Sequence, residues 1–153
     1  AELQERTLTA VKMAGIRAII QADQIKEVEK VNTEKLYFID AVPYSSIFPY
    51  VRGVVHHGGC TTNGLSLLYG CPTLVIPLAL DQYFYGRMDN RLGAGPAPLY
   101  IRKKLCTTEQ IESALLDLVS GQYDEAAREI SAKIQRENGV VCAADAIEKY
   151  VRG

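Results

Sequence analysis

Short apolar runs alternate along this chain with longer segments in which apolar residues recur every three or four positions. The short runs are typical of buried strands, and the three-to-four spacing is typical of amphipathic helices. Such an alternation predicts an α/β domain in which a parallel sheet carries helices on both faces. The predicted strands span residues 16–21, 36–39, 53–55, 73–77 and, as a short edge strand, 95–101.

The helical segments carry recognisable start and stop signals. A first helix over residues 2–14 ends at Gly15, and a helix from about Thr61 to Tyr69 ends at Gly70. The charged stretch 25–30 is predicted to be a surface loop or a short helix. Further helices are predicted over residues 45–50, 83–92, 124–137 and 141–151, and from Thr107 or Thr108 to the stop at Gly121.

Two of these helices have predicted caps or faces. Ser45 or Ser46 is the predicted N-cap of the short helix 45–50, because a serine side chain can accept a hydrogen bond from the free N–H groups there. Thr107 or Thr108 is the corresponding residue of the later helix. The apolar face of that helix is predicted to contain Ile111, Leu115, Leu116 and Val119.

The first junction with candidate chemistry follows strand 53–55. A glycine turn leads there into a helix, so several free backbone N–H groups and the positive end of the helix dipole point to one place. Glycine lets a bulky anion approach the backbone, and threonine hydroxyls add hydrogen-bond donors. The junction predicts a phosphate site. Its candidate ligands are His57, Gly58, Gly59, Thr61 and Thr62.

A second junction follows strand 73–77, where the polar pair Asp81 and Gln82 comes next. The carboxyl ends of parallel strands meet at one edge of the sheet, where ligands of such folds bind. A carboxylate and an amide suit a ligand with several hydroxyl groups. A phosphate at one junction and a polyol at the other describe a nucleotide sugar.

Each candidate residue also has a structural interpretation. His57 can be a partly buried histidine whose ring bonds to backbone, the glycines can form a plain turn, and the threonines can be simple N-caps. Asp81 and Gln82 can be a solvated loop pair. His56 is predicted to face the other side of its strand, and both a functional and a structural role remain open for it. Cys60 is predicted to be a packing residue, because no partner base can be named.

Length and charge narrow the classes of function. The chain has 153 residues, enough for one domain, and a formal net charge of −1, which argues against a nucleic-acid partner. The four cysteines lack CxxC spacing and the only histidines are adjacent, which argues against structural zinc and indicates reduced, cytosolic thiols. No signal peptide opens the chain, and its longest apolar run, 72–80, is shorter than the ~20 residues of a membrane helix.

The segment from Pro43 to Gln82 resembles the donor-binding signature of UDP-sugar-dependent glycosyltransferases with the GT-B fold, and within them the sterol glucosyltransferase group. That signature reads roughly PHDWLF, VVHHGGAGTT, GxPT and PFFGDQ. Residues 43–48, 54–62, 70–73 and 77–82 here read PYSSIF, VVHHGGCTT, GCPT and PLALDQ. The spacing has no gap when Thr61 stands where the signature has its third glycine, so that Thr62 matches the first threonine. A weaker match continues to the C-terminus.

The resemblance implies a Rossmann-like domain, the C-terminal half of a GT-B fold. In the family this half begins with a strand that ends in a Gly-Ser turn, and an N-terminal domain holds the acceptor and the catalytic histidine base. Neither is recognisable here, so we expect residues 1–153 to be a donor-binding fragment without its first strand, and without a catalytic residue. The implied reaction is inverting transfer of a hexose from UDP to the hydroxyl of a sterol, another lipid or a small hydrophobic molecule.

The resemblance also implies residue roles. His57 corresponds to the family histidine that contacts the diphosphate, and Asp81 and Gln82 correspond to the sugar-binding pair. Val42 and Tyr44 fall where the nucleoside is held, and Tyr44 replaces a histidine or glutamine with a ring that can stack on a base. No metal and no cofactor are expected, since UDP-sugar is a co-substrate.

The resemblance leaves the wider setting as an expectation. It implies an enzyme with no transmembrane segment that is cytoplasmic or, at full length, peripheral to a membrane. The alternatives are a freestanding nucleotide-sugar-binding subunit and a non-catalytic sensor. An acceptor domain encoded upstream would argue against both alternatives.

Overall fold

The computed structural model describes residues 2–21, 32–101 and 106–152. The predicted loop or short helix at 25–30 lies outside these ranges. None of the helices in the described ranges is long and apolar enough to cross a membrane. The elements are α1 (Glu2–Ala14), β1 (Ala18–Gln21), β2 (Leu36–Ile39), β3 (Val54–His56), α2 (Cys60–Leu68), β4 (Thr73–Val75), α3 (Gln82–Arg91), α4 (Thr108–Leu118), α5 (Asp124–Glu137) and α6 (Gly139–Arg152).

The strands form two parallel pairs. β1 pairs with β2 with Ala18 opposite Leu36, and β3 pairs with β4 with Val54 opposite Thr73. The predicted parallel pairing is confirmed, although the described strands form two ladders and not one continuous sheet. Because β3 and β4 run in the same direction, their carboxyl ends lie side by side, and the Ile76 N–H donates to the His56 carbonyl oxygen at 2.9 Å just beyond.

The core lies between α1, α4 and β4. Its buried side chains include Val11 of α1 and Leu74 of β4, together with the inward face of α4. That face consists of Ile111, Leu115 and Leu118, at positions i, i+4 and i+7 of the helix. The prediction for Leu116 is wrong, because its side chain is 47% exposed on the outer side.

The two predicted caps have opposite outcomes. Thr107 is the N-cap of α4: its Oγ1 accepts from the Gln110 N–H at 3.3 Å, and the Gln110 side chain accepts from the Thr107 N–H at 3.0 Å. The predicted serine-capped helix at 45–50 is wrong. Two single 3₁₀ turns, Tyr44–Ser46 and Phe48–Tyr50, occupy this stretch, and neither has a side-chain cap.

The predicted edge strand over 95–101 is also wrong. The Thr73 N–H donates to the Ala94 carbonyl at 2.9 Å and the Leu99 N–H donates to the Val75 carbonyl at 3.0 Å, so the segment does run beside β4. Pro96 and Pro98 lie between these two bonds and have no N–H to donate. The segment therefore lies along β4 without forming a ladder.

Candidate functional site

A glycine turn joins β3 to α2. Gly58 has a φ of +91° and Gly59 is the N-cap of α2, which begins at Cys60. A Cβ atom on Gly58 would lie 2.7 Å from the Val75 side chain and 3.1 Å from the carbonyl oxygen of Gln82. Glycine is therefore required at this position both for its backbone conformation and for the close approach of β4 and α3.

His56 holds this turn in place. Its Nδ1 accepts a hydrogen bond from the Gly58 N–H at 2.9 Å. Burial, and secondarily the neighbouring charge of His57, lower the pKa of His56 to about 4, so the ring is neutral at pH 7 and carries its proton on Nε2. This Nε2 is buried and has no hydrogen-bond partner in the described part of the chain. The role that the sequence left open for His56 is thus to position the turn.

The first turn of α2 presents free backbone donors. The Asn63 N–H is the first to bond within the helix, to the Gly59 carbonyl at 2.9 Å, and no side chain caps this end. The N–H groups of Cys60, Thr61 and Thr62 therefore have no acceptor within the helix. The N-cap alternative for the two threonines is wrong, because Gly59 has that position. The packing role predicted for Cys60 is also wrong, because Cys60 is exposed.

The side chain of His57 lies over the same turn. Its Nε2 would be 2.7 Å from a Cβ on Gly59, so the imidazole covers the glycine immediately before α2. His57 itself is exposed. The structure thus brings His57, Gly58, Gly59, Thr61 and Thr62 together around the N-terminus of α2, the geometry that favours an anion.

The second junction is built on Gln82. Its Oε1 accepts hydrogen bonds from the N–H groups of Leu78 at 2.7 Å and Ala79 at 3.0 Å, which braces the loop after β4. Because the oxygen bonds to the loop, the NH₂ group of the same amide is left to bond elsewhere. Asp81 precedes α3, is exposed, and makes no side-chain bond to the helix end. Through the contact between Gly58 and Gln82, this junction lies directly against the glycine turn.

The predicted nucleoside residues lie after another strand. Val42 and Tyr44 follow β2, and the Tyr44 ring stacks on Phe48 with 4.8 Å between ring centroids and 7° between ring planes. The Phe48 carbonyl in turn accepts from the Cys71 thiol at 3.1 Å. One face of Tyr44 is therefore covered by protein, and only its other face remains for a base. The nucleoside role of both residues stays a prediction.

A buried polar cluster lies behind the two junctions. Asp89 of α3 accepts from the Asn63 side-chain amide at 3.2 Å and from the Thr73 hydroxyl at 3.0 Å, and all three residues are buried. Burial raises the pKa of Asp89, while the two hydrogen bonds oppose this shift. The cluster ties the first turn of α2 to β4 and α3.

No group of three or more metal-ligating His, Cys, Asp or Glu side chains occurs within residues 2–21, 32–101 and 106–152. The polar groups at the two junctions are instead backbone donors, a histidine, hydroxyls, a carboxylate and an amide. This set can bind an anion beside a group that carries several hydroxyls.

The family of erythromycin biosynthesis protein CIII-like proteins, C-terminal domain, matches residues 6–148 of the chain. The chain belongs to this family. Among curated proteins, it is 31% identical to the sterol 3-beta-glucosyltransferase of Pichia angusta over 96% of the chain. It is 37% identical over 74% of the chain to the terpene cyclase-glycosyl transferase fusion protein fsoA of Humicola fuscoatra. The chain spans only 12% and 9%, respectively, of the lengths of these two relatives.

The fold of this CIII-like domain also matches a solved structure. Spinosyn forosaminyltransferase SpnP superimposes with a TM-score of 0.80 at 19% identity, over 98% of this chain and 39% of that one. The predicted fold, the C-terminal half of a GT-B glycosyltransferase, is confirmed. The predicted resemblance to sterol glucosyltransferases is confirmed by the curated relatives.

Sequence reasoning missed two features of this CIII-like domain. The brace from His56 to Gly58 has a local signal, an acceptor side chain two residues before a turn N–H. Asp89 has a weaker signal: it stands three positions after the buried Gly86, on the inward face of α3, where an apolar residue is expected. The partners of Asp89 come from α2 and β4 and cannot be read from helix periodicity.

Proposed function

We propose that this chain is the donor-binding half of a larger glycosyltransferase, which transfers a hexose from UDP to an acceptor hydroxyl. The observation that carries the proposal is the contact between Gly58 and Gln82. It places the free N–H groups at the start of α2 next to Asp81 and Gln82, two polar residues suited to sugar hydroxyls. Membership of the CIII-like family supports it, as do relatives that bear glycosyltransferase names.

In the proposed reaction the acceptor oxygen attacks the anomeric carbon of the sugar. The bond from that carbon to the UDP oxygen breaks, and the acceptor proton passes to a base supplied by the other half of the enzyme. The N–H groups at the start of α2, His57 and the hydroxyls of Thr61 and Thr62 stabilise the charge that develops on the departing diphosphate. These donors need no metal and no cofactor, and no residue of this chain transfers the proton.

The second junction orients the sugar. The Asp81 carboxylate accepts hydrogen bonds from sugar hydroxyls, and the free NH₂ group of Gln82 donates one, because its oxygen is held by the Leu78 and Ala79 N–H groups. The uridine lies along Val42 and the uncovered face of Tyr44. We place the acceptor among sterols, other lipids and small hydrophobic molecules, after the names of the relatives. The full-length enzyme is cytoplasmic or peripheral to a membrane.

Calorimetry of the chain with UDP, UDP-glucose, uridine and glucose tests this function. We expect weak binding of UDP and UDP-glucose, weaker binding of uridine and no binding of free glucose. His57→Ala weakens UDP binding and leaves uridine binding as it was, because only the diphosphate lies at this ring. Equal affinities for UDP and uridine would contradict the proposal.

A further inference from the structure

Leu80 has an unusual backbone conformation. Its φ is +49°, in the left-handed region that a branched side chain avoids. Asn138 is the other non-glycine residue with positive φ in the described ranges, and asparagine tolerates this region. The donor-binding signature PFFGDQ has glycine where this chain has Leu80.

The bonds that hold the loop leave Leu80 little freedom. Gln82 accepts from the N–H groups of Leu78 and Ala79, and its own N–H donates back to the Ala79 carbonyl at 3.2 Å. The side chain of Leu80 is 88% exposed, so packing within the described chain does not offset the strain. A residue held in a strained conformation with its side chain in solvent points to a contact outside this chain.

Two residues near Leu80 in sequence also have large, exposed apolar side chains. Leu78 is 53% exposed and Phe84 is 58% exposed, and both flank the Asp81–Gln82 pair. We call Leu78, Leu80 and Phe84 the apolar rim. The three large apolar side chains are exposed and lie within three residues of Asp81 in sequence, so they gain most from contact with an apolar molecule.

We propose that Leu80 is a specificity-determining residue for an apolar acceptor, whose hydrocarbon body packs on the apolar rim. This inference rests on the proposed function. Transfer requires the acceptor hydroxyl to reach a sugar held by Asp81 and Gln82, so the rest of the acceptor lies against side chains that adjoin this pair. Those side chains are the apolar rim, and an acceptor with a polar body gains nothing from them.

The test uses the full-length enzyme that contains this chain, with cholesterol as the acceptor and UDP-glucose as the donor. Leu80→Gly and Leu80→Asn both remove the apolar side chain, and both residues accept a positive φ. We expect each to raise the KM for cholesterol by about tenfold, the effect of losing 1.4 kcal/mol of contact. The KM for UDP-glucose stays within about twofold, and the Tm stays equal to or above that of the wild type.

Two control variants separate the side chain from the backbone. Leu80→Met keeps an apolar side chain of similar volume, so its KM for cholesterol stays close to that of the wild type. Leu116→Asn changes another exposed leucine, on α4, and leaves both KM values unchanged. An increase in KM in Leu80→Gly but not in Leu80→Asn would assign the effect to chain flexibility and overturn the proposal.

The remaining outcomes are distinguishable. Normal donor binding with an unchanged KM for cholesterol in both Leu80 variants overturns this inference alone. Transfer to no apolar alcohol at all overturns this inference together with the proposed acceptor class. A fall in Tm without a change in KM would mean that another part of the enzyme covers Leu80, which also overturns it. Failure of the wild-type chain to bind UDP or UDP-glucose would overturn the proposed function itself.

Discussion

Gly58, two residues after β3, lies directly against Gln82 at the start of α3, where a Cβ on the glycine would come within 3.1 Å of the glutamine carbonyl oxygen. Two segments more than twenty residues apart in sequence therefore form one surface. The parallel pairing of β3 and β4 produces this contact, because it places the chain segments that leave both strands at the same edge.

This contact predicts that Gly58→Ala is strongly destabilising. The new methyl group would lie 2.7 Å from the Val75 side chain at a φ of +91°, so the free energy of unfolding should fall by about 3 kcal/mol. UDP binding should be lost with it. Urea unfolding monitored by circular dichroism measures the change.

Gly64→Ala is the matched control for Gly58→Ala. Gly64 lies within α2, and a Cβ there has no neighbour within 4 Å. Alanine should therefore raise the free energy of unfolding by about 0.5–1 kcal/mol through its higher helix propensity. If the two substitutions were equally destabilising, the close contacts of Gly58 with Val75 and Gln82 would not explain the loss of unfolding free energy.

The elements around this contact could be predicted because their signals are local. Glycine and proline mark the ends of α2, the apolar run at residues 73–77 marks β4, and α5 occupies the predicted range of 124–137. The position of the two junctions could be predicted as well, because the carboxyl ends of parallel strands lie at the same edge of a sheet. The phosphate and sugar roles of these residues are still predictions.

The buried cluster of Asp89, Asn63 and Thr73 predicts that alanine and asparagine at position 89 have very different effects on the free energy of unfolding. Asp89→Ala leaves the Asn63 amide and the Thr73 hydroxyl without a partner, which should cost about 3 kcal/mol of unfolding free energy. Asp89→Asn should change stability by less than about 1 kcal/mol. Its amide oxygen can accept from Thr73. Its NH₂ group can donate to the Asn63 oxygen, which has no partner in the described residues, once the Asn63 amide turns over.

Urea unfolding at pH 7 distinguishes the two Asp89 variants. The asparagine variant also removes a carboxyl group whose raised pKa stabilises the folded protein as the pH falls, so its free energy of unfolding should fall more steeply below pH 7 than that of the wild type. Equal losses for alanine and asparagine would show that the carboxylate charge, and not the hydrogen bonds, holds the cluster together.

The lowered pKa of His56 predicts that the protein loses stability when the pH falls. Its pKa is lowered to about 4 in the folded protein from 6.5, so between these values the unfolded state binds more protons. The free energy of unfolding should therefore fall by about 2 kcal/mol between pH 7 and pH 5 on account of this residue. The raised pKa of Asp89 acts in the opposite direction, since the folded protein then takes up a proton more readily.

The variant His56→Asn isolates the histidine contribution. Its side-chain oxygen can still accept from the Gly58 N–H but does not titrate, and Asp89 is unchanged, so the loss between pH 7 and pH 5 should be smaller by about 2 kcal/mol. His56→Ala loses the Gly58 bond as well and should be less stable at both pH values. A pH dependence that His56→Asn leaves unaltered would contradict the assignment.

The features that the sequence could not supply depend on contacts between distant segments. The conformation of Leu80 is imposed by bonds from Gln82 to the loop, and no propensity signals a leucine in the left-handed region. Pro96 and Pro98 prevent a ladder beside β4, although the run around them is apolar enough to resemble a strand. The predicted face of α4 wrongly includes Leu116, because the large apolar residues of this helix, Ile111, Leu115, Leu116 and Leu118, allow more than one buried face.

The most direct test of the account is a ¹⁵N-resolved NMR titration of the chain with UDP and with uridine. If the start of α2 binds the diphosphate, the amide signals of Gly59, Cys60, Thr61 and Thr62 shift with UDP and remain in place with uridine. The His57→Ala variant should need more UDP for the same shifts. UDP binding that leaves these four amides unmoved, or equal shifts with uridine, would contradict the central claim.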